Sequence, residues 1–180
     1  MLIFIQAKNT WFNIKIISVV GYSGTGKTQL ILNAISLFKE NLNYKVAVIK
    51  NIHEHEIDKK GKDSYKYAEE GATFSITKNI NDETTIFLKH EISIEKLVDW
   101  LEKAPFKLDL IFTEGFRYLN YPSILCVKEF NEIPKQISDF TKMISGLIIN
   151  NKDSKVLDFN VPIIDIKEEF PKFLEIFKLV

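Results

Sequence analysis

The sequence predicts an α/β fold: a mainly parallel sheet flanked by helices in three layers, with one inserted antiparallel hairpin. Three observations predict it. Short β-branched runs alternate with helix-length stretches of 3.6-residue period, the rhythm of βαβ units. That rhythm breaks once, where strand-like runs at 73–77 and 85–88 flank a polar turn over 79–83, which reads as a hairpin. Residues 21–28 read Gly-Tyr-Ser-Gly-Thr-Gly-Lys-Thr, a complete phosphate-binding loop, which places the chain in the P-loop nucleoside triphosphatase class.

Each element has its own signal. Ile14, Ile16, Ile17, Val19 and Val20 form a β-branched strand over 14–20 that runs into Gly21. Behind Lys27, Leu30, Ile31, Ala34, Ile35, Leu37 and Phe38 recur at helical spacing, predicting a helix over 27–39. Strand, glycine loop, helix is the order the motif needs. Further strands are predicted over 45–50, 108–113, 123–127, 146–149 and 161–164, and helices over 64–70, 94–102, 135–141 and 168–179. Gly71 stands just past the end of one helix, where a left-handed residue stops it. Ser93 begins Ser-Ile-Glu-Lys and caps the next, with Glu91 and Glu95 adding early negative charge. Residues 1–13 read either as an added edge strand or as an upstream start that packs poorly.

Composition bounds the rest. At 180 residues, 46% apolar and 27% charged, the chain is expected to be one globular domain over 1–180. Formal net charge is zero, so no basic footprint points to nucleic acid. The single cysteine, Cys126, excludes an internal disulfide framework and fits a reducing compartment. No apolar run reaches the ~18 residues of a membrane span, and Met1 to Ile5 is too short for a signal peptide. A cytoplasmic protein away from membranes is expected. Of the 24 basic residues only Arg117 is arginine, so lysine runs carry little meaning and the arginine stands out.

In the loop, Gly21, Tyr22, Ser23, Gly24, Thr25, Gly26, Lys27 and Thr28 are expected to present backbone N–H groups to phosphate, with Gln29 beginning the helix behind them. Lys27 supplies the cation for the β- and γ-phosphates, and Thr28 a hydroxyl for Mg²⁺. In open α/β sheets ligands sit beyond the carboxyl ends of the strands, and polar clusters follow four of them. Lys50 precedes Asn51, His53, Glu54, His55, Glu56 and Asp58; Glu114 precedes Gly115 and Arg117; Asn150 opens Asn-Asn-Lys-Asp. Residues 108–114 look like a Walker B segment, with Glu114 as a second metal ligand; alone, they would read as a strand ending in a solvated turn. Asp58 is the second candidate acid, for the metal or an attacking water. His53 and His55 with the neighbouring acids read as a transition-metal site, a solvated polar loop, or a binding loop for a second phosphate-bearing ligand. Gly61-Lys62-Asp63-Ser64 opens a helix that Asp63 or Ser64 can cap, and a helix start beside a lysine is also an anion site. Asn150 falls where guanine-nucleotide proteins carry Asn-Lys-x-Asp, but Ser154 stands where that acid belongs, so a polar turn competes with a base contact. Arg117, three residues past Glu114, is expected to lie away from the loop; with no evident arginine finger unless Arg117 or its dimer mate swings in, hydrolysis below ~1 s⁻¹ is predicted.

The loop, then Val46-Ala-Val-Ile-Lys50, His53, His55 and Asp58, Gly61-Lys-Asp-Ser64, Glu70-Gly-Ala72 and Glu114-Gly-Phe116, resemble in this order the MobB family of molybdopterin-guanine dinucleotide biosynthesis adapter proteins. The match runs from about residue 14 to 127 and loosely on through Val161-Pro-Ile-Ile-Asp165. The family has histidine after the strand-end lysine, where this chain has Asn51, and a Pro-Lys-Ile run where Ser123 follows Pro122. The resemblance implies GTP binding with Mg²⁺, weak hydrolysis at best and a homodimer. It also implies partnership with a MobA-like guanylyltransferase that attaches GMP to molybdopterin in molybdenum (or tungsten) cofactor synthesis. It carries nucleotide roles onto Gly24, Gly26, Lys27 and Thr28, and metal roles onto Asp58 and Glu114. The rival readings are a small-molecule kinase or ligase, holding its acceptor with Lys50 and the following loop, and a metal-delivery GTPase using His53 and His55.

Overall fold

The computed structural model describes residues 14–53, 57–150 and 160–180. In chain order the elements are β1 (Lys15–Val20), α1 (Lys27–Leu42), β2 (Val46–Lys50), α2 (Asp63–Glu69), β3 (Ser75–Lys78), β4 (Thr84–Phe87), α3 (Ile94–Glu102), β5 (Leu110–Glu114), β6 (Ser123–Cys126), β7 (Thr141–Ser145) and α4 (Phe170–Phe177). They fall into two compact units: Ile52–Ala104, and the described residues before and after that segment.

The larger unit is a five-stranded sheet in the order β2-β5-β1-β6-β7, parallel throughout. A parallel sheet covered on both faces needs strands that are apolar on both, and β5 and β6 are buried at every position. One face packs under α1 and α4. Phe38 of α1 sits at its centre, stacked on Tyr44 at 5.4 Å and meeting Phe170 edge-on at 5.3 Å, with Phe112 and Phe173 around it. The other face gathers Val20, Leu125, Ile144, Ile133 and Ile148. Helix α1 ends at Asn43, whose left-handed backbone (φ 52°) donates its N–H to the Phe38 carbonyl. Register sets the edge that matters here. Lys50 of β2 lies opposite Glu114 of β5, which lies opposite Val19 of β1 just before Gly21. The carboxyl ends of three strands therefore stop level with the glycine loop.

The smaller unit holds α2, the hairpin β3–β4 and α3. The hairpin is antiparallel, and its turn is closed by Asn79, whose Oδ1 accepts the N–H groups of Asn81 and Glu83. Gly71 is left-handed (φ 96°) directly after the α2 cap residue Glu70, and Ser93 Oγ accepts the Lys96 N–H at the start of α3.

Three sequence expectations are corrected. The strand expected over 146–149 lies five residues earlier, as β7, and 147–150 is a 3-10 turn. The helix expected over 135–141 is instead a 3-10 turn over Phe130–Lys135 followed by the approach to β7. The apolar run from Met143 to Ile149 has no period that says where the strand stops; the stop is Gly146, at φ 94°. A β-carbon there would collide with the Thr25 carbonyl oxygen, so only glycine lets β7 turn against the phosphate loop. The strand expected over 161–164 is a single bridge between Ile163 and Ile144. Residues 1–13 lie outside the described residues.

Candidate functional site

The loop after β1 is shaped by close backbone approach. Gly21 has φ 146°, and a β-carbon on it would strike the Cys126 carbonyl oxygen at the end of β6. Gly26 forms the N-cap of α1 in a left-handed conformation with no side-chain cap, and no acidic residue stands in the first turn. The N–H groups of a 16-residue helix therefore open onto the loop without an internal acceptor from a capping side chain. Such an end attracts anions. Buried Thr25 braces the loop by donating its hydroxyl to the Tyr22 carbonyl at 2.9 Å.

Lys27 reaches back along its own loop, its Nζ donating to the carbonyls of Gly21 at 3.1 Å and Tyr22 at 2.6 Å. Burial lowers its pKa. The neighbouring Cys126 thiol is pushed up to about 12 by burial and is neutral at physiological pH, so Glu114 is the countercharge that matters there.

Beside the lysine, three oxygen- and nitrogen-bearing side chains meet. Thr28 donates its hydroxyl to Glu114 Oε1 at 2.8 Å. Lys50 Nζ lies 3.2 Å from the same carboxylate oxygen and 3.3 Å from the Thr28 hydroxyl. Glu114 is only 5% exposed, so its charge is held in place rather than left to solvent. Beneath it, Ser18 and Thr113 share a buried hydrogen bond of 2.8 Å between β1 and β5. Gly115 donates its N–H to Val19 and Asn51 donates its own to Glu114, which fixes the strand ends on either side. A hydroxyl and a carboxylate brought to one point are hard oxygen donors of the kind a magnesium ion takes.

The predicted site residues divide as follows. Gly21 to Thr28, Lys50 and Glu114 come together. Gln29 follows them on α1, where its amide donates to Asn33 Oδ1 at 3.0 Å. Asn150 closes the 3-10 turn after β7 and lines a cavity beside the first turn of α1. Asp58 belongs to the smaller unit. It is buried there, with Oδ1 accepting from Ser64 Oγ at 2.9 Å and Oδ2 buried without a hydrogen-bond partner among the described residues. Ser64 is thus spent on Asp58 and does not cap α2, whose N-cap is Lys62 with no side-chain bond. His55, Glu54 and Glu56 lie outside the described residues. Among the described residues no cluster of three or more His, Cys, Asp and Glu side chains could hold a metal ion.

One expectation about charge is overturned. Arg117 is distant from the loop in sequence but not in space: its guanidinium lies 5.0 Å from the centre of the Tyr22 ring. A second bond to Gln136 Oε1, at 2.5 Å, holds it there. Gly115, left-handed at φ 88°, turns the chain after β5, and Phe116 buries itself beneath the turn, which sends Arg117 over the loop. Sequence reading also missed Lys128, whose Nζ would lie 3.3 Å from a β-carbon at Gly24. It follows the end of β6, so the same rule about carboxyl ends would have found it.

The chain's likeness to known proteins agrees with this geometry. A family model described as molybdopterin guanine dinucleotide synthesis protein B (MobB) matches residues 16–149. A putative molybdopterin-guanine dinucleotide biosynthesis adapter protein of Methanocaldococcus jannaschii is 33% identical over 135 residues, which is 72% of this chain and 54% of that protein. This chain thus spans about half the length of that relative. A molybdopterin-guanine dinucleotide biosynthesis adapter protein of Haemophilus influenzae is 29% identical over 155 residues, 82% of this chain and 83% of the relative. Among solved structures, Bacillus subtilis MobB superposes with a TM-score of 0.72 at 20% identity, covering 93% of this chain and 99% of that one. A MobB homolog from Bacillus stearothermophilus superposes at 0.64 and 16% identity, over 92% and 99% of the two chains. At those identities the solved structures speak for the fold alone.

Proposed function

The chain belongs to the MobB family, and from that premise we propose that it is a GTP-binding adapter in molybdenum (or tungsten) cofactor synthesis, assisting the attachment of GMP to molybdopterin. The observation that carries the nucleotide half is the meeting of Thr28, Glu114 and Lys50 beside an uncapped glycine loop. A bound divalent cation would supply charge neutralisation at the β- and γ-phosphates. Thr28 and Glu114 would hold it, with Lys50 Nζ paired to the same Glu114 oxygen and orienting it. Lys27 would exchange the Gly21 and Tyr22 carbonyls for phosphate oxygens. The N–H groups of residues 22 to 28 would cradle the same phosphates. The proposal for Asp58, to order the metal or a water, rests on the family resemblance and on its buried Oδ2, which has no hydrogen-bond partner among the described residues.

The adapter half is carried by the names of the relatives. The partner it implies is a MobA-like guanylyltransferase, with molybdopterin as the substrate served and a homodimer as the working state.

Calorimetry with GTP and with ATP, each with Mg²⁺, tests the reading. GTP is expected to bind the parent protein, and Lys27→Ala to weaken it at least about tenfold, the loss expected of a charge-assisted phosphate contact. Parent protein that binds no nucleoside triphosphate would refute the proposal. Tight ATP binding without GTP preference would favour a kinase or ligase on the same fold. Co-purification with a MobA-like transferase tests the adapter role separately.

A further inference from the structure

The Thr28, Glu114 and Lys50 cluster occupies the flank of the phosphate loop where β2 and β5 end. The flank where β6 ends carries Lys128, which the nucleotide reading above does not use. Lys128 stands two residues past Cys126, the last residue of β6, and its backbone is pinned. The Val127 N–H donates to the Ser145 carbonyl, and the Val127 carbonyl accepts the Ile148 N–H, both at 3.0 Å. The Lys128 N–H donates to Glu132 Oε2 at 3.0 Å. Glu132 belongs to the 3-10 turn over Phe130–Lys135, which fully buried Ile133 seats in the core. The acids of this segment bond within it, since Glu129 Oε2 accepts the Asn131 amide at 3.4 Å.

From that anchored backbone the side chain reaches the loop at Gly24. A β-carbon on Gly24 would meet Lys128 Nζ at 3.3 Å and Cε at 3.7 Å, and nothing else within 4 Å among the described residues outside its chain neighbours. Gly21 and Gly26 face backbone instead, of Cys126 and of Gly146 with Leu147. Gly24, left-handed at φ 69°, is thus where the loop's surface opens, and an ammonium stands over the opening. Lys27 lies against the first arm of the loop, on the Gly21 and Tyr22 carbonyls, and Arg117 is spent on the Tyr22 ring and Gln136. One ammonium comes from the first residue of α1, the other from the end of a neighbouring strand.

We infer that Lys128 is a second phosphate-binding lysine of this loop, contacting the phosphate chain of the bound nucleotide from the β6 side. The inference rests on the nucleotide reading above and adds a residue to it. A triphosphate seated on the loop N–H groups carries more negative charge than Lys27 neutralises alone. An ammonium is a compact charge with three rotatable donors, suited to phosphate oxygens whose exact positions the backbone N–H groups already set. Because Lys128 stands beside Gly24 before any ligand arrives, its contact is made in the ground state as fully as in the transition state. Such a contact tightens binding without speeding the chemical step. It therefore differs from an arginine finger, whose charge acts in the transition state.

The test is calorimetry on the full chain with GTP and with inorganic tripolyphosphate, each with and without Mg²⁺. Lys128→Met is expected to weaken both ligands about tenfold, whether or not the metal is present. Lys128→Arg, which keeps the charge, is expected to stay within about threefold of the parent. Lys142, near the amino end of β7 and donating to the Asp139 carbonyl at 3.3 Å, gives the control for losing one positive charge. Lys142→Met is expected to change neither ligand. Single-turnover hydrolysis at saturating GTP is expected to be unchanged in Lys128→Met; Lys128→Gln takes its place if the methionine variant fails to fold. Parent-like affinity in Lys128→Met overturns the inference, as does an equal loss in Lys142→Met, which would mean net charge alone. A loss for GTP with tripolyphosphate unaffected would put Lys128 on the base or sugar and overturn it too. So would a slower single turnover at unchanged affinity, the mark of a group acting in the transition state. Parent protein that binds neither GTP nor tripolyphosphate refutes the nucleotide reading itself.

Discussion

At the scale of single residues, the site turns on one buried carboxylate shared by a hydroxyl and an ammonium. Glu114→Gln keeps the shape and removes the charge. The stimulation of nucleotide binding by Mg²⁺ is expected to fall at least about tenfold while binding in EDTA stays the same, read by titration with and without the metal. Stability should change by less than about 1 kcal/mol, because Lys50 is half exposed and can return to water. Asp109 gives a prediction in pH. The Lys45 N–H donated to Asp109 Oδ2 at 2.8 Å lowers its pKa, and Lys107 at 2.9 Å lowers it further. A carboxyl with a depressed folded-state pKa stabilises the fold above its unfolded value and loses that contribution as pH falls through the folded one. Asp109→Asn should therefore cost about 1 kcal/mol at neutral pH and nothing in strong acid, measured by urea unfolding across that range. The sequence made Lys27, Thr28 and Glu114 legible because motif spacing is local. Lys128 was within reach of the same rule about strand ends, but the approach of Arg117 to Tyr22 was hidden, since it is a contact that only the sheet order brings together.

At the scale of elements, the glycine turns decide where strands stop. Gly21→Ala must move the backbone of β6, because the obstacle is the Cys126 carbonyl, and it also strains a positive φ. Gly146→Ala meets the Thr25 carbonyl in the same way. Each should destabilise by about 1–3 kcal/mol, and at about 2–4 °C per kcal/mol for a chain of this size the midpoint of thermal unfolding should drop measurably. An unchanged midpoint would mean that the loop is not packed against the strand ends as described. These turns explain the uneven legibility of the fold. The start of α1 and the cap at Ser93 were readable because the signal lies in adjacent residues. The end of β7 was not, because Gly146 looks like any other glycine until Thr25 is known to lie against it. The bridge at Ile163 was misread as a full strand for a related reason: Val161 to Ile164 has strand propensity, but Pro162 has no N–H to give a ladder.

At the scale of the whole molecule, two expectations concern what the chain does alone and what it does with a copy of itself. The lone arginine is already engaged, stacked on Tyr22 and bonded to Gln136, so it is tied down rather than free to enter as a finger. Single-turnover hydrolysis of GTP by the isolated protein should stay below ~1 s⁻¹, and a faster rate would contradict an adapter's role. The second expectation rests on the hairpin. Ile76 and Ile86 lie directly opposite each other in register, so both side chains stand on one face of β3–β4, and they are 63% and 43% exposed. Among the described residues no further strand pairs with either edge of β3–β4, and a two-stranded sheet with an open apolar face is marginal by itself and readily recruits another strand or surface. The homodimer implied by the family would cover that face. Sedimentation of the parent at micromolar concentration is expected to show a dimer, and the double substitution Ile76→Asp with Ile86→Asp to give a monomer whose circular dichroism is unchanged. Asp at both positions should not weaken GTP binding, since neither residue belongs to the loop or the strand ends that form the site. A parent that sediments as a monomer ends the idea. A double variant that remains a dimer moves the interface elsewhere, to the outer edge of β2, which among the described residues pairs with no further strand.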